Sequence, residues 1–300
     1  MRIGQQPTMF KKIMLLGCTG EIGSRLTMLL ISSGYEVYGV RATRECKITH
    51  PLHSCYSINV LDEELELDFL GIKPEVLIHT AWYTAPNQFW ESELNSKWVD
   101  ASKRIISDFE ESGGKYLVVT GSCAEYAWNL NEPLKETSPE LPASQYGRSR
   151  LELLNWIRNR ELPFLWTRTF FQFGLNEPTG RLIPGLIDSL AAGKQYIIRS
   201  GKDVRDFVYV EDVVNIMNYL IAQQCKGVVN IGSGIGIEIE VASRKLARLL
   251  GREDLVAFED QIREKICVTA NPEKLYSLIG KYPWQTFDSA LFDTINARTR

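Results

Sequence analysis

Residues 12–34, KIMLLGCTGEIGSRLTMLLISSG, join a short apolar run to an amphipathic one through a loop that holds three glycines. Residues 12–17 predict a buried strand, and residues 21–34 predict a helix that ends at Gly34. Glycines between them allow a tight turn and a close approach of the backbone to a phosphate, and the N-terminus of the helix favours the same ligand. The unit therefore predicts a dinucleotide site, although a turn that needs only small residues has the same pattern.

The same alternation of strand and helix continues through the first half of the chain. Further strands are predicted at 35–41, 74–81, 115–122 and 162–170, with helices at about 92–112 and 146–160. The second half predicts a helix at 181–195, a strand leading into a helix at 205–222, a strand at 227–234 and a helix at 240–251. We therefore expect an α/β fold. A doubly wound parallel sheet would occupy residues 9–175, and residues 176–300 would form mainly a smaller C-terminal substrate-binding lobe with returns to the core.

Composition and charge exclude several classes of protein. The net charge of the 300 residues is −3 without a dense basic run, so nucleic acid and anionic membranes are poor partners. No apolar run reaches the ~18 residues of a membrane span. The six cysteines form no Cys-x-x-Cys pair and there are only three histidines, which predicts neither disulfides nor a metal site and fits a reducing cytoplasm. Residues 1–8 are expected to be a polar leader, without the pattern of a signal peptide.

The end of the second strand indicates which dinucleotide would bind. NAD sites carry an acidic residue there, about 20 positions after the glycines, which binds the adenine ribose. Here Arg41 takes that position and Arg44 follows it. Guanidinium groups pair with a 2′-phosphate, so we expect NADP(H). The alternative is that both are solvated surface arginines.

Tyr146 and Arg150 are four residues apart in SQYGRSRLELL, residues 144–154, and would share one face of a helix. The ordinary pKa of Tyr is ~10, and a fixed cation beside it stabilises the tyrosinate. Arg supplies that charge but, unlike Lys, cannot relay a proton by losing one. The pair therefore favours a Tyr that donates a proton once per turnover, while an ordinary pair on one helical face has the same spacing.

Seven segments in a fixed order carry a resemblance to a known family: LLGCTGEIG, LIHTA, VVTGSCAEY, QYGRSR, RTFFQFG, RDFVYVEDV and VNIGSG. From Lys12 to about Asn271 the chain resembles the extended short-chain dehydrogenase/reductases, in the branch of nucleotide-sugar epimerases, dehydratases and reductases. The resemblance implies a Rossmann-like fold, a nicotinamide cofactor and a homodimer. The segment GSCAEYAW is similar to that of reductases of nucleotide-linked 4-keto-6-deoxysugars.

The resemblance also implies roles by position. Ser122 and Tyr146 match the catalytic hydroxyl and the acid/base, and Arg150 matches the Lys that holds the nicotinamide ribose. The implied substrate contacts are Ser122, Cys123, Arg181 and Arg205. The cofactor-binding positions are Gly17, Thr19, Gly20, Glu21, Ile22, Gly23, Arg41, Arg44, Asn59, Val60, Thr80, Ala81, Trp82, Asn95, Tyr146, Arg150 and Phe170.

Two departures and two ambiguous segments bear on function. Dehydratases of the branch carry Asp-Glu after the catalytic Thr, whereas here the pair is Cys123-Ala124 and the adjacent Glu125 is predicted to face the other way. We predict His79 to be a core residue and Cys123 a buried filler.

The aromatic stretch AWYTAPNQFW, residues 81–90, suits a lid and a buried loop equally. A dimer seam and intrachain packing are both open for Trp98, Ile105, Ile106, Leu153, Leu154 and Ile157.

The expected function is NADPH-dependent reduction of a keto group, taken to be at C4, on a nucleotide-linked 6-deoxysugar. The hydride would come from the nicotinamide and the proton from Tyr146. One alternative is a nucleotide-sugar epimerase with a tightly bound cofactor. The other is a non-catalytic module that binds the dinucleotide.

Overall fold

The computed structural model describes residues 10–62, 71–128, 130, 132–175, 177–259 and 264–299. The leader expected at residues 1–8 lies outside these residues, as do residues 9 and 176, which bound the two predicted domains. Within the described part, no helix combines the length and apolar character needed to cross a bilayer.

A central sheet of seven parallel strands forms the core of the molecule. Its strands are β1 Lys12–Leu16, β2 Glu36–Arg41, β3 His53–Ser57, β4 Val76–His79, β5 Tyr116–Ser122, β6 Phe164–Thr169 and β10 Gly227–Ile231. They lie in the order β10-β6-β5-β4-β1-β2-β3, so the direction of winding reverses between β1 and β4. Ligands of doubly wound sheets bind outside the carboxyl ends of the strands at this switch point.

Helices cover both faces of this sheet because its strands are apolar on both sides. Ile13 and Leu15 of β1 enter one core cluster, and Met14 and Leu16 enter the other. The helices α1 Glu21–Ser32 and α5 Val210–Ala222 pack together on the first face. On the second face α2 Leu94–Glu111 packs against α3 Gln145–Arg158. The Rossmann-like doubly wound fold is therefore confirmed.

The second half builds a smaller set of sheets and helices. A four-stranded sheet contains β7 Phe171–Phe173, β9 Val204–Tyr209, β11 Gly236–Glu238 and β13 Cys267–Val268. The strand β8 Tyr196–Ile198 pairs with β12 Val256–Phe258. The remaining helices are α4 Leu182–Ala191, α6 Ile239–Leu249, α7 Glu273–Ile279 and α8 Phe287–Thr299. The first of these is shorter than the helix predicted at 181–195, and the boundary at residue 175 stays a prediction.

The six residues considered for a dimer seam pack within the hydrophobic core of the chain itself. Ile105, Ile106, Leu153 and Leu154 are at most 1% exposed and belong to the core cluster between the sheet, α2 and α3. Ile157 is equally buried, and Trp98 packs against the same cluster. The apolar pattern therefore reflects intrachain packing, one of the two interpretations that the sequence left open, and the homodimer stays a prediction.

Candidate functional site

A cavity of about 820 Å³ opens at the carboxyl ends of the central strands and extends to the second-half strand β9. Of the residues predicted for the site, all but Asn59 and Asn95 line this cavity. The glycine loop, the end of β2, Ser122, Tyr146 and Arg150 therefore face a common space. Its size suits a cofactor together with a small substrate.

The glycine loop adopts a geometry that excludes side chains. Gly17 has φ +86°, and a Cβ at Gly23 would lie 2.1 Å from the carbonyl oxygen of Gly17. α1 follows directly, and no described side chain caps its N-terminus at Gly20. The amide groups of its first turn are thus available to an anion, as a pyrophosphate requires.

Arg41 and Arg44 line the cavity beyond this loop. Arg44 donates to the carbonyl oxygen of Thr19 at 3.2 Å, and Arg41 donates to that of Ala42 at 3.4 Å. Among the described residues, neither guanidinium is ion-paired with a carboxylate. Two unneutralised cations beside the loop form an environment for a phosphate.

Two predicted cofactor contacts take other positions. The side chain of Asn59 accepts a hydrogen bond from the amide of Leu61 at 3.2 Å, and so stabilises the turn after β3. Val60 lines the cavity in its place. Asn95 is fully buried in the first turn of α2, where it accepts from Trp82 Nε1 at 2.9 Å. Asn95 therefore supports the cavity wall through Trp82, and its predicted contact with the cofactor stays a prediction.

Tyr146 lies at the start of α3 in an aromatic corner. Its ring packs edge-on against Phe89 at 4.9 Å and Trp90 at 5.8 Å between ring centres. Burial raises the pKa of its hydroxyl above the ordinary value, although the charge of Arg150 and a hydrogen bond with Ser122 both lower it. Tyr146 is therefore protonated at neutral pH, as a proton donor must be.

Arg150 is 2% exposed and is held between two indole rings. Its guanidinium carbon lies 4.2 Å from the centre of the Trp82 ring and 5.1 Å from that of Trp166. Nε has no hydrogen-bond partner among the described residues. Burial lowers the pKa of Arg150, whereas the nearby oxygens of Tyr146 and Glu125 raise it. A buried cation that lines the cavity one helical turn from Tyr146 is suited to a hydroxylated or anionic ligand.

The turn after β5 positions Ser122 and removes Glu125 from the cavity. Ser122 accepts from the amide of Ala124 at 3.1 Å, and the carboxylate of Glu125 accepts from the amide of Ser122 at 2.7 Å. Glu125 is fully buried and paired with Arg168 at 2.5 Å. It faces away from the cavity, as the sequence predicted. Cys123 lines the cavity, but burial raises the pKa of its thiol, so it is not an activated nucleophile.

Comparison with known proteins agrees with this geometry. The sequence profile of the NAD dependent epimerase/dehydratase family matches residues 13–232. The chain belongs to this family. It is 27% identical to a UDP-glucose 4-epimerase of Streptococcus mutans over 300 residues, 84% of this chain and 90% of that protein.

Two solved structures of the same fold extend the comparison. One is a UDP-N-acetylglucosamine 4-epimerase from Methanobrevibacter ruminantium in complex with UDP-N-acetylmuramic acid. It has a TM-score of 0.84 and 22% identity, covering 96% of this chain and 98% of that one. The other is the Bordetella bronchiseptica enzyme WbmG in complex with NAD and UDP. Its TM-score is 0.82 at 21% identity, covering 96% and 94%.

The end of the cavity far from the glycine loop is aromatic and basic. Arg181 stacks on Phe89 with its guanidinium carbon 4.7 Å from the ring centre. Arg205 stacks on Phe171 at 5.0 Å and is paired with Asp203 at 2.8 Å. Both arginines line the cavity, so they are available to a second phosphate or a sugar hydroxyl.

Glu177 also lines the cavity and was missed in the sequence. Burial raises its pKa to about 8, with Glu21 raising it further and Arg181 lowering it. A carboxyl group whose pKa is close to neutral pH can either donate or accept a hydrogen bond, according to what binds beside it. Neither spacing nor composition marked it, because its environment is formed by residues distant in sequence.

His79, at the end of β4, is a core residue as predicted. It is 1% exposed and shares a 2.8 Å hydrogen bond with Ser102. Burial lowers its pKa to about 3, with a smaller contribution from the charge of Arg150. It is therefore neutral at physiological pH.

The aromatic stretch at 81–90 forms a wall of the cavity, because Trp82, Phe89 and Trp90 all line it.

Proposed function

We propose that this chain reduces a keto group, at C4, of a nucleotide-linked 6-deoxysugar with NADPH. The observation that carries the proposal is the half-buried, protonated Tyr146 beside Ser122 and the buried Arg150, a cation that cannot relay protons. A ketone reductase needs one proton delivered to the product oxygen in each turnover, and this arrangement suits that task.

The residues of the cavity take distinct parts in the reaction. Ser122 and Tyr146 would bind the carbonyl oxygen, and Tyr146 would release its proton to that oxygen. Arg150, which lines the cavity, would hold the cofactor ribose and stabilise the tyrosinate left behind. The nicotinamide, when bound, supplies the hydride. The aromatic rings around Tyr146 would exclude water from the reacting oxygen.

One line of support favours NADPH over NADH. Arg41 and Arg44 line the cavity where an NAD site needs a carboxylate, and both are without an acidic partner among the described residues. We further propose that Arg181 and Arg205 contact the substrate diphosphate and that the protein is a cytoplasmic homodimer.

An epimerase is the second candidate, favoured by the relative from Streptococcus mutans and the fold of the Methanobrevibacter enzyme. It would keep its cofactor bound and consume none. A dehydratase is disfavoured because Cys123 and Ala124 replace its acid and base, and Glu125 is paired with Arg168 away from the cavity.

The test follows the oxidation of NADPH by absorbance when a nucleotide-linked 4-keto-6-deoxyhexose is added to the purified protein. We expect oxidation that needs substrate and falls ~10²–10⁴-fold in Tyr146→Phe, the usual loss for a general acid. NADH should be a poor replacement. Isomerised nucleotide sugar without net NADPH oxidation would establish the epimerase instead. Saturable NADPH binding with neither product would favour the non-catalytic module.

A further inference from the structure

The fold brings together three cysteines that the sequence scatters. The sulfur atoms of Cys18, Cys46 and Cys55 all lie within 4.8 Å of one another. Cys18 belongs to the glycine loop, Cys55 lies in β3, and Cys46 lies in the segment between β2 and β3. The sequence predicted no metal site from the spacing of the cysteines along the chain, and that spacing does not reveal this cluster.

Gly39 opens the space in which the cluster forms. Its strand partner is Cys55, and a Cβ at this position would lie 2.7 Å from the sulfur of Cys18 and 2.9 Å from Cε1 of His53. The amide of Cys18 donates to the carbonyl oxygen of Val40 at 3.2 Å, which fixes the loop over β2. Only glycine at this point allows Cys18 and His53 to lie against the strand.

His53 presents a lone pair to the cluster. It lies two residues before Cys55, so both side chains emerge on one face of β3. Its Nδ1 is 2.9 Å from the carbonyl oxygen of Val37, which can only accept, so Nδ1 carries the hydrogen. In the neutral ring Nε2 is then an acceptor, and the thiol of Cys46 donates to it at 3.4 Å. Metal-binding histidines are commonly oriented by such a bond from the other ring nitrogen.

We propose that Cys18, Cys46 and Cys55 bind one Zn²⁺ ion, and that Nε2 of His53, which lies beside Cys46, moves in as the fourth ligand when the ion binds. Tetrahedral Zn²⁺ at its usual Zn–S distance of ~2.3 Å holds two sulfur ligands about 3.8 Å apart. The sulfurs of Cys18 and Cys55 are 3.7 Å apart. Three thiols and an imidazole are the soft and borderline donors that Zn²⁺ takes in structural sites.

Such an ion would join the glycine loop to the segment that carries Arg44. Cys18 directly follows Gly17, and Cys46 is two residues beyond Arg44. The glycine loop and the segment with Arg44 would both be fixed before a dinucleotide binds. Binding would then lose less free energy to the ordering of these loops. The metal would therefore be structural and would preorganise the phosphate end of the cavity.

Metal analysis of the full chain, purified under reducing conditions without a histidine tag, tests the proposal. We expect about one zinc per chain, bound through sulfur at ~2.3 Å and one nitrogen in X-ray absorption spectra. Cys46→Ser and Cys55→Ser should lose the zinc, whereas Cys225→Ser, a half-buried cysteine outside the cluster, should retain it. Cobalt in place of zinc should give thiolate-to-cobalt charge-transfer bands.

Two results would overturn the metal site. One is that the unmodified chain, reduced and supplied with zinc, contains no more zinc than Cys46→Ser. The other is a Cys18–Cys55 disulfide in protein prepared and kept under reducing conditions. If the variants do not fold, the X-ray absorption and cobalt spectra of the unmodified chain decide between binding and no binding. None of these measurements uses catalysis, so the reductase and the metal site can fail separately.

Discussion

The guanidinium of Arg150 occupies a slot between Trp82 and Trp166 that suits a flat cation. A guanidinium stacks on an aromatic ring with its whole plane, whereas an ammonium is a compact and strongly hydrated point charge. With ring centres 4.2 Å and 5.1 Å from the guanidinium carbon, both indoles contribute to holding it. The Arg at this position thus belongs to a set of matched side chains, and the structure gives it a defined place beside Tyr146.

Removing the charge of Arg150 should weaken Tyr146 as an acid. Burial already raises the pKa of Tyr146, so the protonated form persists through neutral pH and activity is lost only as pH rises above the ordinary Tyr range. In Arg150→Met we expect kcat to fall ~10–100-fold. The alkaline limb of the pH profile of kcat should move to higher pH, because the charge that lowers the pKa of Tyr146 is gone. Arg150→Lys should leave that limb in place.

The measurement is the pH profile of kcat for the reduction. Arg148→Met is the matched control, since Arg148 lies on the same helix, exposed, in a surface pair with Glu91 at 3.4 Å. An unchanged alkaline limb in Arg150→Met would show that this cation does not act on Tyr146.

Arg41 and Arg44 should decide the choice of dinucleotide. A charge-assisted hydrogen bond contributes roughly 1.5–3 kcal/mol, so Arg41→Ala and Arg44→Ala should each raise the Kd for NADPH by roughly 10–100-fold. The Kd for NADH should change little, because it lacks the 2′-phosphate. Binding is measured by fluorescence titration, with Arg248→Ala, an exposed arginine paired with Glu253, as control. Equal loss for both dinucleotides would place these arginines elsewhere than at the 2′-phosphate.

At the scale of elements, a buried charge network fixes the turn that presents Ser122. Arg168 of β6 donates to Glu125 in the turn after β5 and to Glu140 in the following loop, each at 2.5 Å. Trp166 Nε1 donates to the same Glu125 carboxylate at 3.0 Å. Because Trp166 also stacks on Arg150, the network links the support of Ser122 to the support of Arg150.

Glu140 should make this network sensitive to acid. Hydrogen bonds from Arg158 and Arg168 lower its pKa from 4.5 to about 2. A lowered carboxyl pKa stabilises the fold above pH 4.5, and that contribution is lost as pH falls through about 2. In Glu140→Gln we expect the free energy of unfolding to fall by roughly 3 kcal/mol at pH 7.

Urea unfolding at pH 7 and pH 3 measures this difference. The difference in the free energy of unfolding between wild type and Glu140→Gln should be smaller at pH 3 than at pH 7. Glu253→Gln, from an exposed surface pair, should change stability by less than ~1 kcal/mol at either pH. A gap that stays constant would mean that hydrogen-bond geometry, rather than charge, stabilises the turn.

The elements that the sequence predicted and those it missed differ in burial. β1, β4 and β5 are continuous apolar runs covered on both faces, so their patterns identify them. β3, with the sequence HSCYS, has no fully buried residue and no apolar period. Missing this strand concealed both the cysteine cluster and the turn that uses Asn59. The pairing of β3 with β2 decides these contacts, and pairing between strands is not encoded locally.

At the scale of the whole molecule, the cavity is built by both halves of the chain. The glycine loop and the end of β2 line one end, while Arg205 and Phe207 of β9 line the other. The sequence could predict the first end, because a strand–loop–helix motif is local. Residues such as Glu177 and Trp166 gain their roles only from contacts between distant segments, which the sequence order does not reveal.

A ligand that joins both ends should stabilise the entire fold by mass action. At a concentration 100 times its Kd, NADPH should add about 2.7 kcal/mol to the free energy of unfolding. With an unfolding entropy of ~2.1 cal/mol/K per residue over the chain, this corresponds to a rise in Tm of about 4 °C. Calorimetry with NADPH and NADH at equal concentration, on wild type and on the Arg41→Ala/Arg44→Ala double variant, measures it. NADH should raise Tm less in wild type, and the double variant should respond equally weakly to both. A larger shift with NADH would overturn the preference for NADPH, since the more stabilising dinucleotide at equal concentration is the one that binds more tightly.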